Sequence, residues 1–252
     1  MDTEDLDENP VLSGSALDAL KEFYADRDAR QKQFEDLKVG AEAASHATLS
    51  METFSEDWNQ SQFWYSDETA ITLAQQLLRG ADGSTTIAAV SAPSVFIQLK
   101  NLLAASDKSD DEKPKLFLLE YDERFNVFPE FVFYDFKDPL KLPPNMRGSV
   151  DHVICDPPFL SEECQTKAAM TVRWLSKWSK AAKTQVDHHS RLVLCTGERM
   201  EGVVTKLYRP QGLATTTFDP VHKNGLSNEF RCYANFECED WKWRTVVNEI
   251  PA

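Results

Sequence analysis

The 252-residue chain reads as an α/β protein, with a mostly parallel sheet, helices on both faces and an antiparallel pair near its C-terminal end. Three observations predict this. Short apolar runs alternate with helix-length amphipathic segments from residue 66 to about residue 208. Acidic residues close three of those runs, at Glu120, Asp135 and Asp156. The last acid is followed at once by Pro157-Pro158-Phe159, where a buried-strand pattern over 150–155 stops and a helix pattern opens after Ser161.

The elements follow in order. Residues 1–12 are acidic and are expected to be a disordered tail. Leu17, Leu20, Phe23, Phe34 and Leu37 form an interrupted apolar stripe over 15–47, a helix expected to pack on the domain. Residues 13–50 thus read as a helical extension ahead of a domain spanning 51–252. An aromatic block with Phe54, Trp58, Phe63, Trp64 and Tyr65 comes next. Ser66 then caps a helix to about Arg79, with Asp67 and Glu68 in its first turn and Gly80 past its end. A strand is predicted over 86–91, and Pro93 opens a helix through Leu103. Strands end at Glu120 and Asp135, helices cover 162–183 and 198–208, and a strand lies at 191–195. Segments 214–218 and 230–236 alternate and read as a hairpin on one sheet edge.

Composition narrows the function. The formal net charge is −14 and the pI about 4.8. Nucleic-acid binders draw most of their affinity from phosphate neutralisation by basic stripes, and no such cluster is visible; Lys177 to Lys183 is spread along a helix. A basic protein partner suits this charge better. Five cysteines without a CxxC spacing point to reduced thiols in the cytosol. The acidic N-terminus is unlike a signal or transit peptide, and no apolar run is long enough to span a membrane. His188-His189 lacks neighbouring ligands at metal-binding spacing, so no metal is expected.

The Asp156-Pro157-Pro158-Phe159 turn carries the chemistry. Open α/β sheets bind ligands at the carboxyl ends of their strands. Asp156 and the Pro157 carbonyl can accept hydrogen bonds from an amine, and neither proline offers a competing N–H. Phe159 can cover an aromatic base or face a cation. This points to methyl transfer onto an amine, whether of a lysine or of an adenine. At Ser91-Ala92-Pro93 small residues replace the glycine-rich turn of dinucleotide folds and permit close backbone approach. Glu120 is positioned to accept from ribose hydroxyls, with Asp122 as the alternative, and Asp135 from an adenine amino group beside Tyr134. The block Gln62-Phe63-Trp64-Tyr65-Ser66 is placed to close the pocket around a sulfonium.

This order of elements, with acids at strand ends, is the architecture of class I methyltransferases that use S-adenosylmethionine. The segments QFWYSDET (62–69), VSAPSVF (90–96), LLEYDERF (118–125), VFYDF (132–136), CDPPFLSEEC (155–164) and FDPVHKNGLSNEFRCYANF (218–236) resemble the eukaryotic elongation factor 1-alpha lysine methyltransferases. That family was formerly labelled putative N-6 adenine-specific DNA methyltransferase. The resemblance covers nearly the whole chain from about residue 13. It implies a class I methyltransferase fold, S-adenosylmethionine as cofactor, a cytoplasmic enzyme and elongation factor 1-alpha as substrate; a monomer is expected. The family's motif falls on Asp156, Pro157, Pro158 and Phe159, and the alternative activity is adenine N6 methylation of DNA or RNA.

Overall fold

A computed structural model describes residues 62–177, 190–226 and 229–244, together with Lys21, Tyr24, Ala25, Lys32, Leu49, Ser50, Met51, Phe54 and Glu56. The chain divides into two compact units, Met1–Ser45 and His46–Ala252. In the first, Lys21, Tyr24, Ala25 and Lys32 are helical; the expected tail and the stripe over 15–47 otherwise lie outside the described residues, as do His188 and His189.

The second unit is a seven-stranded sheet in the order β3-β2-β1-β4-β5-β7-β6. Its strands are β1 Thr86–Val90, β2 Lys115–Glu120, β3 Phe131–Phe133, β4 His152–Cys155, β5 Arg191–Gly197, β6 Ala214–Thr215 and β7 Phe230–Ala234. The first five pair in parallel, and β7 runs antiparallel to both β5 and β6. The expected antiparallel pair is present at the edge of the sheet: β7 lies between β5 and β6, so the fourteen-residue connection 216–229 must pass over the carboxyl end of the sheet.

Helices α1 Asp67–Leu78, α2 Pro93–Ala104, α3 Glu162–Leu175 and α4 Glu201–Tyr208 cover the two faces. Ser66 caps α1 by accepting from the Thr69 amide at 3.2 Å, and Ser161 caps α3 by accepting from the Cys164 amide. Because strand side chains alternate, Ala88, Val90, Val153, Cys155, Leu192 and Leu194 share one face with Ala168, Val172 and Leu175 of α3 and Val204 of α4. The other face carries Ile87, Ala89, Leu118 and Ile154, and there α2 lies on β1 and β2 while α1 reaches β4. Burial on both faces explains why these strands read as continuous apolar runs.

Register is what positions the chemistry. Val90 pairs with both Leu119 and Cys155, so the residues that follow, Ser91, Glu120 and Asp156, stand in one row across three adjacent strands. The row is locked by Ser91 N–H donating to the Leu119 carbonyl at 2.8 Å and Asp156 N–H to the Val90 carbonyl at 3.0 Å. Ile154 is fully buried on the strand that delivers Asp156. Ile154→Ala is expected to cost about 2–5 kcal/mol in chemical denaturation, and a cost under 1 kcal/mol would contradict this picture of the core.

Candidate active site

A cavity of about 760 Å³ opens at the carboxyl ends of the parallel strands. From the residues singled out in the sequence it brings together Trp64, Tyr65, Ser91, Ala92, Pro93, Glu120, Asp135, Asp156, Pro157, Pro158 and Phe159. Ser66 is not among its lining residues. Its hydroxyl is taken up at the start of α1, between the Thr69 amide and the Thr69 hydroxyl, and its N–H donates to Val221. Capping a helix and facing a ligand are competing uses of one short side chain, and the cap prevails here.

At the end of β1, Ser91 adopts φ +51°, the left-handed region where glycine is at home. The turn thus takes the conformation of a glycine turn without glycine, at a strain of about 1–3 kcal/mol. Next to it α2 starts at Ala92 with no side-chain cap and with Pro93 at its first position. Its first-turn N–H groups consequently meet no capping oxygen.

Glu120 closes β2 and is 6% exposed. Its Oε1 accepts from the backbone N–H of Tyr121 at 2.8 Å and of Asp122 at 3.2 Å, while Oε2 finds no donor among the described residues. Burial pushes its carboxyl up to about 7, against the pull of those two amides. Asp122 is engaged elsewhere: it caps the next turn, pairs with Arg124 and accepts from Gln62 at 3.1 Å. Asp135 keeps one oxygen for the Lys137 amide at 2.8 Å. Tyr134 beside it is buried, with its hydroxyl against Thr171 at 2.9 Å.

Asp156 is the other perturbed acid. Desolvation raises it to about 7, the Tyr65 hydrogen bond lowers it, and the Glu120 charge raises it further. Its Oδ2 accepts from the Tyr65 hydroxyl at 2.5 Å. Its Oδ1 and the Pro157 carbonyl are claimed by no donor among the described residues. Phe159 is partly exposed at the rim, its ring 5.4 Å from that of Phe136. Trp64 is buried, its indole N–H spent on the Phe54 carbonyl at 2.8 Å.

The structure adds residues that sequence reasoning missed. Connection 216–229 and the start of β7 bring His222, Gly225, Leu226 and Phe230 to the cavity, and the turn after β5 brings Arg199. His222 pairs with Tyr65 as an isolated antiparallel bridge, and its ring lies between Tyr65 at 4.8 Å and Phe230 at 4.6 Å. Burial lowers its pKa to about 4, so the imidazole is neutral. The only sequence signal for it was its place in the NEFRCYANF-containing segment; nothing in its spacing linked it to Tyr65.

Known proteins resemble this chain along almost all of it. A family model described as "Probable N6-adenine methyltransferase" matches residues 56–238. The protein-lysine N-methyltransferase EFM5 of Saccharomyces cerevisiae is 44% identical over 243 residues, covering 92% of this chain and 94% of that one. The human EEF1A lysine methyltransferase 1 is 40% identical over 238 residues, covering 94% and 96%. A solved SAM-dependent methyltransferase from Aquifex aeolicus matches at 11% identity and a TM-score of 0.36, over 68% of this chain and 98% of that one, too loosely to add to the strand order. The family model's description speaks of adenine, whereas the relatives that match at near full length are lysine enzymes. With the strand order and the acid-lined cavity in place, this chain belongs to the family of protein-lysine N-methyltransferases that contains EFM5 and EEF1A lysine methyltransferase 1.

Proposed function

We propose that this protein transfers methyl groups from S-adenosylmethionine to a lysine of translation elongation factor 1-alpha. The observation that carries the reading is the acceptor pair that no described residue claims, Asp156 Oδ1 and the Pro157 carbonyl, in a cavity shared with Glu120. The substrate is that in the names of the full-length relatives. Five free cysteines suit a reducing compartment, and the proposal extends to the cytoplasm.

The residues fit the cofactor. Glu120 Oε2 lacks a donor among the described residues and suits ribose hydroxyls; Asp135 retains an oxygen for an amino group; the uncapped start of α2 suits a carboxylate. Ser91, Ala92 and Pro93 let a ligand approach the backbone, and Trp64 and Tyr65 form an aromatic wall. When bound, S-adenosylmethionine supplies an electrophilic methyl group on a cationic sulfur.

The chain's own residues then prepare the amine. Free lysine titrates near about 10.4, and only the neutral amine can attack. Desolvation between Phe159 and the aromatic wall favours that neutral form. Asp156 Oδ1 and the Pro157 carbonyl accept its N–H groups and aim the lone pair, a positioning effect. Ionised Asp156 is the better acceptor, and water takes the amine's proton. Adenine N6 methylation needs the same acceptors but also a phosphate-neutralising face. The net charge of −14 disfavours such a face, and among the described residues lining the cavity the lysine and arginine side chains are Lys137 and Arg199.

Labelled S-adenosylmethionine offered with elongation factor 1-alpha and duplex DNA in parallel should mark the protein alone. Asp156→Ala should lower that transfer at least ~100-fold with near-native folding and cofactor binding; retained turnover would remove Asp156 from its role. Glu120→Gln should weaken S-adenosylmethionine binding tenfold or more by calorimetry, whereas Asp122→Asn, away from the cavity, should change it less than threefold. Equal effects of the two would contradict the assignment of Glu120.

Stability should show the same carboxylates. Both hold their protons in the folded protein up to about pH 7, while the unfolded chain releases them in the ordinary carboxylate range. The fold therefore loses stability as pH rises from about 4 to about 7, by up to about 3 kcal/mol from Glu120. A Glu120→Gln, Asp156→Asn double variant should melt with a visibly flatter pH dependence across that window; identical profiles would show that neither acid is perturbed.

A further inference from the structure

Tyr65 lines the cavity, yet its hydroxyl points to a task other than forming a wall. The residue is 2% exposed. Its backbone is held from both sides: Tyr65 N–H donates to Ser94 Oγ at 3.3 Å, Lys223 N–H to the Trp64 carbonyl at 2.9 Å, and Ser66 N–H to Val221 at 2.8 Å. The His222 ring stacks obliquely on it, fixing the plane of the phenol. A side chain so confined cannot swing its hydroxyl away, and that hydroxyl meets Asp156 Oδ2.

We propose that Tyr65 is a positioning residue that acts through Asp156, holding Oδ2 so that Oδ1 is the oxygen presented to the substrate amine. The inference rests on the reading of Asp156 as the amine acceptor. Without the phenol, the carboxylate can rotate about its last torsion, which is broad and roughly two-fold, and neither oxygen is fixed. Burial raises the phenol well above its ordinary range, so it stays a donor wherever the protein is folded. A hydrogen bond to the charged form of an acid favours ionisation, and the Tyr65 bond is the contact that lowers Asp156. The other titratable groups around Asp156 are Glu120 from β2, Cys155 from β4, Cys164 from α3 and Cys195 from β5. All raise it or are raised by it. The cations Lys137 and Arg199 line the same cavity.

Tyr65→Phe keeps the ring and its contact with His222 while removing the hydroxyl. Two readouts follow in the full-length protein, with Asp156→Asn assigning the signal. Carbon-13 titration of Asp156 without substrate should move upward by about one pH unit or more. In methyl transfer to elongation factor 1-alpha, kcat should fall at least tenfold at pH 7 and partly recover at higher pH, while S-adenosylmethionine affinity stays within twofold. An unmoved Asp156 titration would overturn the inference. So would a tenfold loss of cofactor affinity with an unchanged pH profile, which would show that the hydroxyl serves the cofactor and not Asp156. If the wild-type protein transfers no methyl to the factor, the functional reading fails, and the substrate-free titration still decides the role of Tyr65.

Discussion

The site depends on the parallel register of β2, β1 and β4. Pairing Val90 with Leu119 on one side and Cys155 on the other sets the next residues of all three strands at one level. A slip of one residue would turn Glu120 or Asp156 to the opposite face of the sheet. Because apolar faces on both sides are buried, such a slip is strongly disfavoured. The hydrophobic core thereby fixes two carboxylates at the mouth of one cavity. The strain at Ser91 sits between them, where the backbone must turn out of the sheet within the same row.

Those two acids are costly in the free protein. Each is desolvated, and the Glu120 charge raises the cost of ionising Asp156. A strand end needing only to be soluble would carry an exposed acid. Glu120 and Asp156 instead hold protons near neutrality and keep oxygens that no described residue claims. A bound cation with hydroxyl and amine donors relieves both costs together. Binding and chemistry are thus coupled through one electrostatic balance. Connection 216–229 completes the enclosure from the far side of the sheet, since inserting β7 beside β5 carries Phe230 next to Gly197 and His222 against Tyr65.

Much of this was legible in the sequence, for particular reasons. Doubly buried strands announced themselves as apolar runs, Ser66 and Pro93 marked helix starts, and acids at strand ends pointed to the edge of the sheet where the cavity opens. The DPPF turn could be placed because a strand pattern ended there. What stayed hidden was non-local. No local rule pairs Tyr65 with residues near 222 or Asp156 with Tyr65, because these contacts span 157 and 91 positions and follow from sheet order alone. Alternation identified the antiparallel pair at the sheet edge but not which of its two strands is outermost. Ser66 was grouped with the pocket because a capping serine and a ligand-facing serine look the same in sequence. Glu120 and Asp122 were separated only by where their oxygens are spent.

The central claim is that two buried carboxylates, each raised to about 7 by desolvation, give up protons when the cofactor arrives. Calorimetric titration of S-adenosylmethionine at pH 7, in buffers of different ionisation enthalpy, counts the protons released. The account predicts net release of about 0.5–1 proton per bound cofactor, most of it absent from a Glu120→Gln, Asp156→Asn double variant that still binds weakly. Binding without proton release, or release unchanged in that variant, would contradict it.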